Sequence, residues 1–201
     1  MLNRISLINT INNSCNIFFT GSTFILNNTN LGKFKISGNN TSKARNNYKN
    51  ESEEINVIKW FEDFWFYLEI NFEKQNTFIS LSVFQGKAND PIKHQLFRAE
   101  WDDYNNSEEK HPQPHWHITA NQVIEKTFKE LAESTENADT FIGLLEEEKS
   151  KIIDVNKIHF AMNGNWINNE THVHLLNNED KIVRWFQGLL SHIKEQLEYL
   201  I

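Results

Sequence analysis

The chain has 201 residues, which is enough for one globular domain or for one domain with an extension. Its net charge of −7 argues against a general nucleic-acid-binding surface, because such surfaces need clustered lysine and arginine. The single cysteine, Cys15, excludes an intrachain disulfide and a cysteine-rich zinc site, and it favours a cytoplasmic setting. No apolar run approaches the roughly 20 residues of a membrane helix, so we expect no membrane association.

The first 50 residues are rich in asparagine and poor in acidic residues. Two short apolar runs, 17–26 and 31–36, predict a small hairpin or two edge strands. Residues 37–54 are polar and lack periodicity, which is typical of a flexible loop or linker. We therefore predict an N-terminal hairpin with a flexible polar segment over 1–54, followed by an α+β domain over 55–201.

Four strands are predicted in the central part of the chain. Every second residue over 64–72 is a large apolar one, and similar alternation marks 78–84, 94–101 and 114–120. The connections between these runs are short, and short connections join antiparallel neighbours. The pattern therefore predicts an antiparallel β-meander.

Helices are predicted to follow the strands. Asn121 can cap a first helix, a second is expected over 135–149, and a short strand is expected over 158–162. The strongest helical spacing of apolar residues lies in 180–201, where Asp180 is the predicted cap. The order indicates an α+β fold: an antiparallel meander of four to six strands with helices on one face, including a long C-terminal helix.

The segment from His111 to His117 holds three histidines within seven residues. We interpret His111 and the two prolines beside it as the turn that enters the fourth strand. His115 and His117 are then two residues apart in an extended strand, so their imidazoles point to the same face. Imidazole is a common metal ligand, and its proton equilibrium lies near physiological pH.

The alternation of the neighbouring strand adds two partners to these histidines. If Phe97 faces the core, Arg98 and Glu100 face the same side as His115 and His117, because paired strands keep matching faces together. Glu100 would then complete a two-histidine, one-carboxylate set that suits Zn or non-haem Fe(II). Alternatively, Glu100 orients an imidazole for acid–base chemistry, or it simply forms hydrogen bonds on a half-exposed sheet.

Three further histidines lie later in the chain. His172 and His174 repeat the spacing of two residues, and His159 lies in the predicted strand 158–162. Nothing in the sequence pairs these segments with the fourth strand. Whether they join His115 and His117 is therefore left open.

The first functional hypothesis is a small soluble adaptor or regulatory subunit that binds a protein partner. The chain is acidic and rich in bulky aromatics, and it holds no complete catalytic motif. The pattern Phe97-Arg-x-Glu-Trp-Asp102 followed by His111-Pro-x-Pro-His-x-His117 resembles small bacterial proteins of toxin–antitoxin or defence islands. That resemblance implies a place in a bacterial multi-protein system.

The alternative hypothesis is a histidine-dependent hydrolase acting on a phosphoester, with or without a divalent metal such as Zn. His115, His117 and Glu100 would serve as ligands or acid–base groups, and Arg98 would hold an anionic oxygen. His117-Ile-Thr119 resembles the His-x-Thr of two-histidine phosphoesterases, but the chain has no second copy of that tripeptide.

Overall fold

The computed structural model describes residues 3–48, 51–74, 76–103, 114–118 and 178–201, together with Gly143 and Ile153. The helix α1 (Arg4–Cys15) is followed by a 3-10 turn (Asn16–Phe18). The described strands are β1 (Ile25–Asn30), β2 (Lys33–Ser37), β3 (Thr41–Tyr48), β4 (Glu51–Phe61), β5 (Phe64–Glu73), β6 (Asn76–Gln85), β7 (His94–Asp102) and β8 (His115–Ile118). The helix α2 (Glu179–Leu200) follows them. The predicted helix after Asn121, the strand 158–162 and, apart from Gly143, the helix 135–149 lie outside the described residues.

The described strands form one eight-stranded antiparallel sheet. Its main order is β1-β2-β5-β6-β7-β8, and β4 also pairs with one end of β5 and carries β3 on its other side. The predicted α+β architecture is confirmed, and so is the meander of β5, β6, β7 and β8. The strand number exceeds the predicted four to six because residues 25–61 contribute four strands rather than two.

The polar stretch 37–54, predicted as a flexible loop, instead contains β3 and the start of β4. These strands pair in register from Thr41 opposite Ile58 to Tyr48 opposite Glu51. β3 is also tied to β7, since the Asn47 backbone N–H donates to the Gln95 side chain over 2.9 Å. The contact with β7 joins residues distant in sequence, and local polarity does not indicate such a contact. β4 runs through position 54, the predicted end of the N-terminal part.

One face of the sheet is apolar across four strands, as the alternation predicts. Phe66 pairs with Val83, and Leu68 pairs with Leu81, which pairs in turn with Ala99. All five residues are buried. Phe66 also meets the Phe19 ring, which follows the 3-10 turn, at a centroid distance of 5.1 Å.

Two helices of the described chain complete this core. α2 buries the predicted apolar stripe, including Ile182, Phe186 and Leu190, as an amphipathic helix does. α1 was not predicted; it buries Leu7 and Ile11 and contacts α2. In the described part of the chain, neither helix is long and apolar enough to cross a membrane.

The opposite face of the sheet, which we call the polar face, carries buried polar residues beside the buried aromatics Trp65, Tyr67 and Phe84. Ser82 and Arg98 are buried there, and Asn46 of β3 accepts a hydrogen bond from the Ser82 hydroxyl over 3.0 Å. A β-bulge between β6 and β7 pairs Phe84 with Gln95 after Val83 has paired with Phe97, which reverses the alternation toward the start of β7. Gln95 therefore lies on the polar face, where uninterrupted alternation would place His94.

The cap of α2 gives a testable contribution to stability. The Asn178 side chain accepts a hydrogen bond from the Lys181 backbone N–H over 2.9 Å, which satisfies a donor that the first helical turn leaves open. We expect Asn178→Ala to lower the free energy of unfolding by about 1 kcal/mol. Asn178→Asp keeps the acceptor and should retain stability. Urea unfolding monitored by circular dichroism measures both variants, and equal losses would contradict the cap.

The single cysteine is a core residue. Cys15 is fully buried at the end of α1, and burial raises the pKa of its thiol to about 12, although the neighbouring Ser14 opposes this. Because the thiolate is the reactive form, we expect a disulfide reagent such as DTNB to leave the folded protein unmodified at pH 8. In denaturant, one equivalent should react at once. Rapid reaction of the folded protein would contradict this burial.

Candidate metal centre

The candidate site lies where β7 pairs with the short strand β8. The register sets Arg98 opposite His117 and Glu100 opposite His115. Side chains opposite each other in an antiparallel pair project to the same side of the sheet. The predicted sharing of one face by these four residues is therefore confirmed.

Three donor atoms of this cluster converge on one point. His115 Nε2 lies 2.9 Å from His117 Nε2. The carboxylate oxygen Glu100 Oε2 lies 3.0 Å from His117 Nε2 and 3.5 Å from His115 Nε2. In the part of the chain that the structure describes, these three residues form the group with metal-ligand geometry.

These distances match those between ligands of one transition-metal ion. With bonds of about 2.1 Å, neighbouring ligand atoms lie about 3.4 Å apart in a tetrahedral site and about 3.0 Å apart in an octahedral one. The triangle with sides of 2.9, 3.0 and 3.5 Å has a circumscribed radius of about 1.8 Å, shorter than the bond of about 2.1 Å. A single ion could therefore be held at bonding distance by Glu100, His115 and His117 together.

Hydrogen bonds alone satisfy this arrangement poorly. Each imidazole Nε2 has one in-plane direction, which holds either a hydrogen or a lone pair. If His117 donates to Glu100, its Nε2 has no lone pair left to accept from His115. If both rings carry hydrogen at Nε2, both can donate to Glu100 Oε2, but the two nitrogens then lie 2.9 Å apart with no hydrogen bond between them. A single cation shared by the three atoms removes this conflict.

Glu100 is the buried member of the cluster. It is 5% exposed, and its second oxygen, Oε1, lies 2.8 Å from Arg98 Nε in an ion pair. The Ser80 hydroxyl also donates to Oε1, over 3.5 Å. One carboxylate oxygen, Oε1, thus contacts Arg98 and Ser80, and the other, Oε2, faces the histidines.

The electrostatics favour the protonation states that bind metal. Burial raises the pKa of Glu100, but the hydrogen bond from His115 and the charge of Arg98 outweigh it, and the net pKa is below its ordinary value. Burial and the charge of Arg98 lower the pKa of His117, and Glu100 opposes them only in part. Near neutral pH the site therefore holds an ionised carboxylate and a neutral His117, as metal ligation requires.

Within the described residues, the site is accessible from one side. The side chain of His117 is 47% exposed and that of His115 is 17% exposed, whereas Glu100 closes the inner side. The described ligands number three and leave an accessible position, which is the arrangement of catalytic zinc sites, whereas structural sites use four protein ligands.

The remaining residues of the sequence-based hypothesis fall into two groups. His111, Thr119, His159, His172 and His174 are outside the described residues. Arg98 lies beside Glu100 with its side chain 6% exposed. Its predicted role in holding an anionic oxygen stays a prediction.

Two contributors to the site were not predicted. Ser80 pairs with Glu100 across β6 and β7, and its place on the polar face could have been read from the alternation of 78–84. Asn47 contributes its backbone carbonyl, which accepts a hydrogen bond from Arg98 Nη1. A backbone group carries no sequence signal, so only the tertiary structure shows this contact.

No protein-family model, no curated protein and no solved structure matches the chain. The function therefore has to be argued from the site itself, since a fold alone does not define one.

Proposed function

We propose that this protein is a zinc-dependent hydrolase whose ion is held by Glu100, His115 and His117. The observation that carries the proposal is the triangle of three donor atoms, with sides of 2.9, 3.0 and 3.5 Å. Zinc held by three protein ligands with a further position open supplies Lewis acidity for hydrolysis. The exposed side of His117 is the side from which a substrate would approach.

Zinc is preferred over iron for a physical reason. Two histidines and one carboxylate also serve non-haem Fe(II) enzymes, which use octahedral geometry. Zinc has no geometric preference from its d electrons, so it accepts a triangle with unequal sides. The site also holds no thiolate, which limits its affinity for softer ions such as Cu(I).

The substrate class proposed is a phosphoester, as in the sequence-based hypothesis of a histidine-dependent hydrolase. What supports hydrolysis in general is the open three-ligand site, and the choice among esters is left to a substrate panel. p-Nitrophenyl phosphate, bis(p-nitrophenyl) phosphate and p-nitrophenyl acetate separate phosphomonoester, phosphodiester and carboxylic ester chemistry.

The test combines metal analysis with turnover. The full chain is purified, stripped with a chelator, and titrated separately with Zn²⁺, Mn²⁺ and, without oxygen, Fe²⁺. We expect one zinc ion per chain and phosphoester turnover that chelator removes and zinc restores. Lack of binding of all three ions, with complete folding in chelator, would overturn the proposal. Tight binding of Fe²⁺ without hydrolysis would contradict the hydrolase proposal and would favour an oxygen-dependent iron enzyme instead.

The adaptor hypothesis stays a prediction beside this proposal. Within the described ranges, strongly exposed apolar side chains such as Ile5, Ile17 and Leu31 belong to three different elements. Single exposed apolar residues are common on soluble proteins and do not indicate a partner surface. Light scattering of the purified chain tests the adaptor role, and a stable monomer without a co-purifying partner would count against it.

A further inference from the structure

Arg98 is a buried cation that contacts the carboxylate of Glu100 and the backbone of Asn47. It is 5% exposed. Its Nε lies 2.8 Å from Glu100 Oε1, and its Nη1 donates to the Asn47 backbone carbonyl. Two nitrogens of one planar group thus contact two oxygens from different strands, β7 and β3.

The strand β3 is itself fixed at this position by a buried polar network. The Gln95 amide donates to Asn46 Oδ1 over 2.8 Å and accepts from the Asn47 backbone N–H over 2.9 Å. The same Asn46 oxygen accepts from the Ser82 hydroxyl over 3.0 Å. These hydrogen bonds set the position of the Asn47 carbonyl, and the carbonyl limits where the guanidinium of Arg98 can lie.

We propose that Arg98 is a positioning residue that holds Glu100 as a one-oxygen metal ligand. This inference rests on the proposed function, because it concerns the same metal site. Arg98 engages Oε1, which leaves Oε2 as the oxygen 3.0 Å from His117 Nε2. β3 supports the arrangement through Asn47, so a strand outside the metal site helps to set its coordination.

The shape of the arginine is essential to this role. A guanidinium presents several donors in a rigid plane, whereas a lysine ammonium is a compact charge on a flexible stem. Lysine would keep the positive charge but would not hold both the Asn47 carbonyl and Oε1 in the same fixed geometry. Groups that orient a metal ligand from behind typically change metal affinity by about 10- to 100-fold when they are removed.

The experiment measures zinc affinity by competition with a chromogenic chelator for the full-length protein and two variants. We expect Arg98→Met to weaken zinc binding about 10- to 100-fold, and Arg98→Lys to weaken it by about 10-fold. Cobalt(II) is a second probe, because its visible absorption reports coordination geometry. In Arg98→Met the freed carboxylate can bind through both oxygens, so the cobalt spectrum should shift toward higher coordination number.

Lys35→Met is the matched control. Lys35 is a cation ion-paired with a glutamate on another strand of the same sheet, at 3.5 Å from Glu69. It should leave zinc affinity and the cobalt spectrum unchanged. Far-UV circular dichroism verifies folding, and Arg98→Lys carries the test should Arg98→Met not fold.

The outcomes separate this inference from the proposed function. If the unaltered protein binds no zinc, the proposed function fails and the positioning role fails with it. If the unaltered protein binds zinc and a folded Arg98→Lys or Arg98→Met variant binds it equally well, with the same cobalt spectrum, the positioning role alone is overturned. A purely structural role would lower thermal stability without changing either metal readout.

Discussion

Replacing His117 by alanine is expected to abolish zinc binding at concentrations where the unaltered protein holds one ion per chain. Four-ligand zinc sites contribute about 10–16 kcal/mol, so one ligand accounts for about 3 kcal/mol, or on the order of 100-fold in affinity. His117 lies 3.0 Å from the Glu100 oxygen and 2.9 Å from the His115 nitrogen, so its loss removes one corner of the triangle. Its side chain is 47% exposed, and the fold should tolerate the change.

The matched control for this variant is His94→Ala. His94 lies on the same strand as Glu100 but is exposed and displaced to the other side of the sheet by the bulge. Isothermal titration with Zn²⁺ should give wild-type affinity for His94→Ala and loss of binding for His115→Ala and His117→Ala. Equal zinc affinity in all the variants would show that the ion binds elsewhere and would remove the basis of the hydrolase proposal.

The candidate site was predictable from the sequence because it depends on strand alternation. Period-two spacing placed His115 with His117 and Arg98 with Glu100, and the short connections made their strands antiparallel neighbours. The pairing of Glu100 with His115 confirms that logic. What alternation cannot give is distance, so convergence of three atoms within bonding range of one ion required the structure.

Other parts of the fold were not predictable for a different physical reason. α1 contains several asparagines and β-branched residues, which have modest helix propensity, and its stability comes from burying Leu7 and Ile11 near α2. β3 is polar apart from Tyr48 and the buried Ala44, and it is supported by pairing with β4 and by hydrogen bonds with Gln95 and Ser82. The contacts of α1 with α2 and of β3 with Ser82 and Gln95 join residues far apart in the chain, and local patterns do not record such contacts.

Glu100 links the site to the stability of the sheet, which gives the second large expected effect. Glu100→Ala should lower the free energy of unfolding by about 3–5 kcal/mol, because it leaves the buried guanidinium of Arg98 without its carboxylate. Glu100→Gln keeps the volume and one acceptor oxygen and loses only the charge, so about 1–3 kcal/mol is expected. Urea unfolding in the presence of chelator measures these values for the metal-free protein.

The surface pair formed by Lys43 and Glu54 provides the control for this comparison. Their charged groups are 2.9 Å apart, but both side chains are more than half exposed. Exposed ion pairs contribute little because water and salt screen them, so Glu54→Gln should change stability by less than about 1 kcal/mol. If Glu54→Gln lowered the free energy of unfolding as much as Glu100→Gln does, burial would not distinguish the contributions of the two carboxylates to stability.

The pH dependence of the Glu100→Gln comparison has a definite sign. Against the opposing effect of burial, the His115 hydrogen bond and the Arg98 charge hold the pKa of Glu100 below its ordinary value. Its carboxylate therefore stabilises the fold fully above the unfolded-state pKa of about 4.3, and this contribution is lost as the pH falls through the lower folded-state pKa. The stability difference between the unaltered protein and Glu100→Gln should be constant near pH 7 and shrink on acidification below about pH 4. A difference that grows as the pH falls below about 4 would mean that the folded environment disfavours the ionised carboxylate, and Glu100 would then be unsuited to hold a cation.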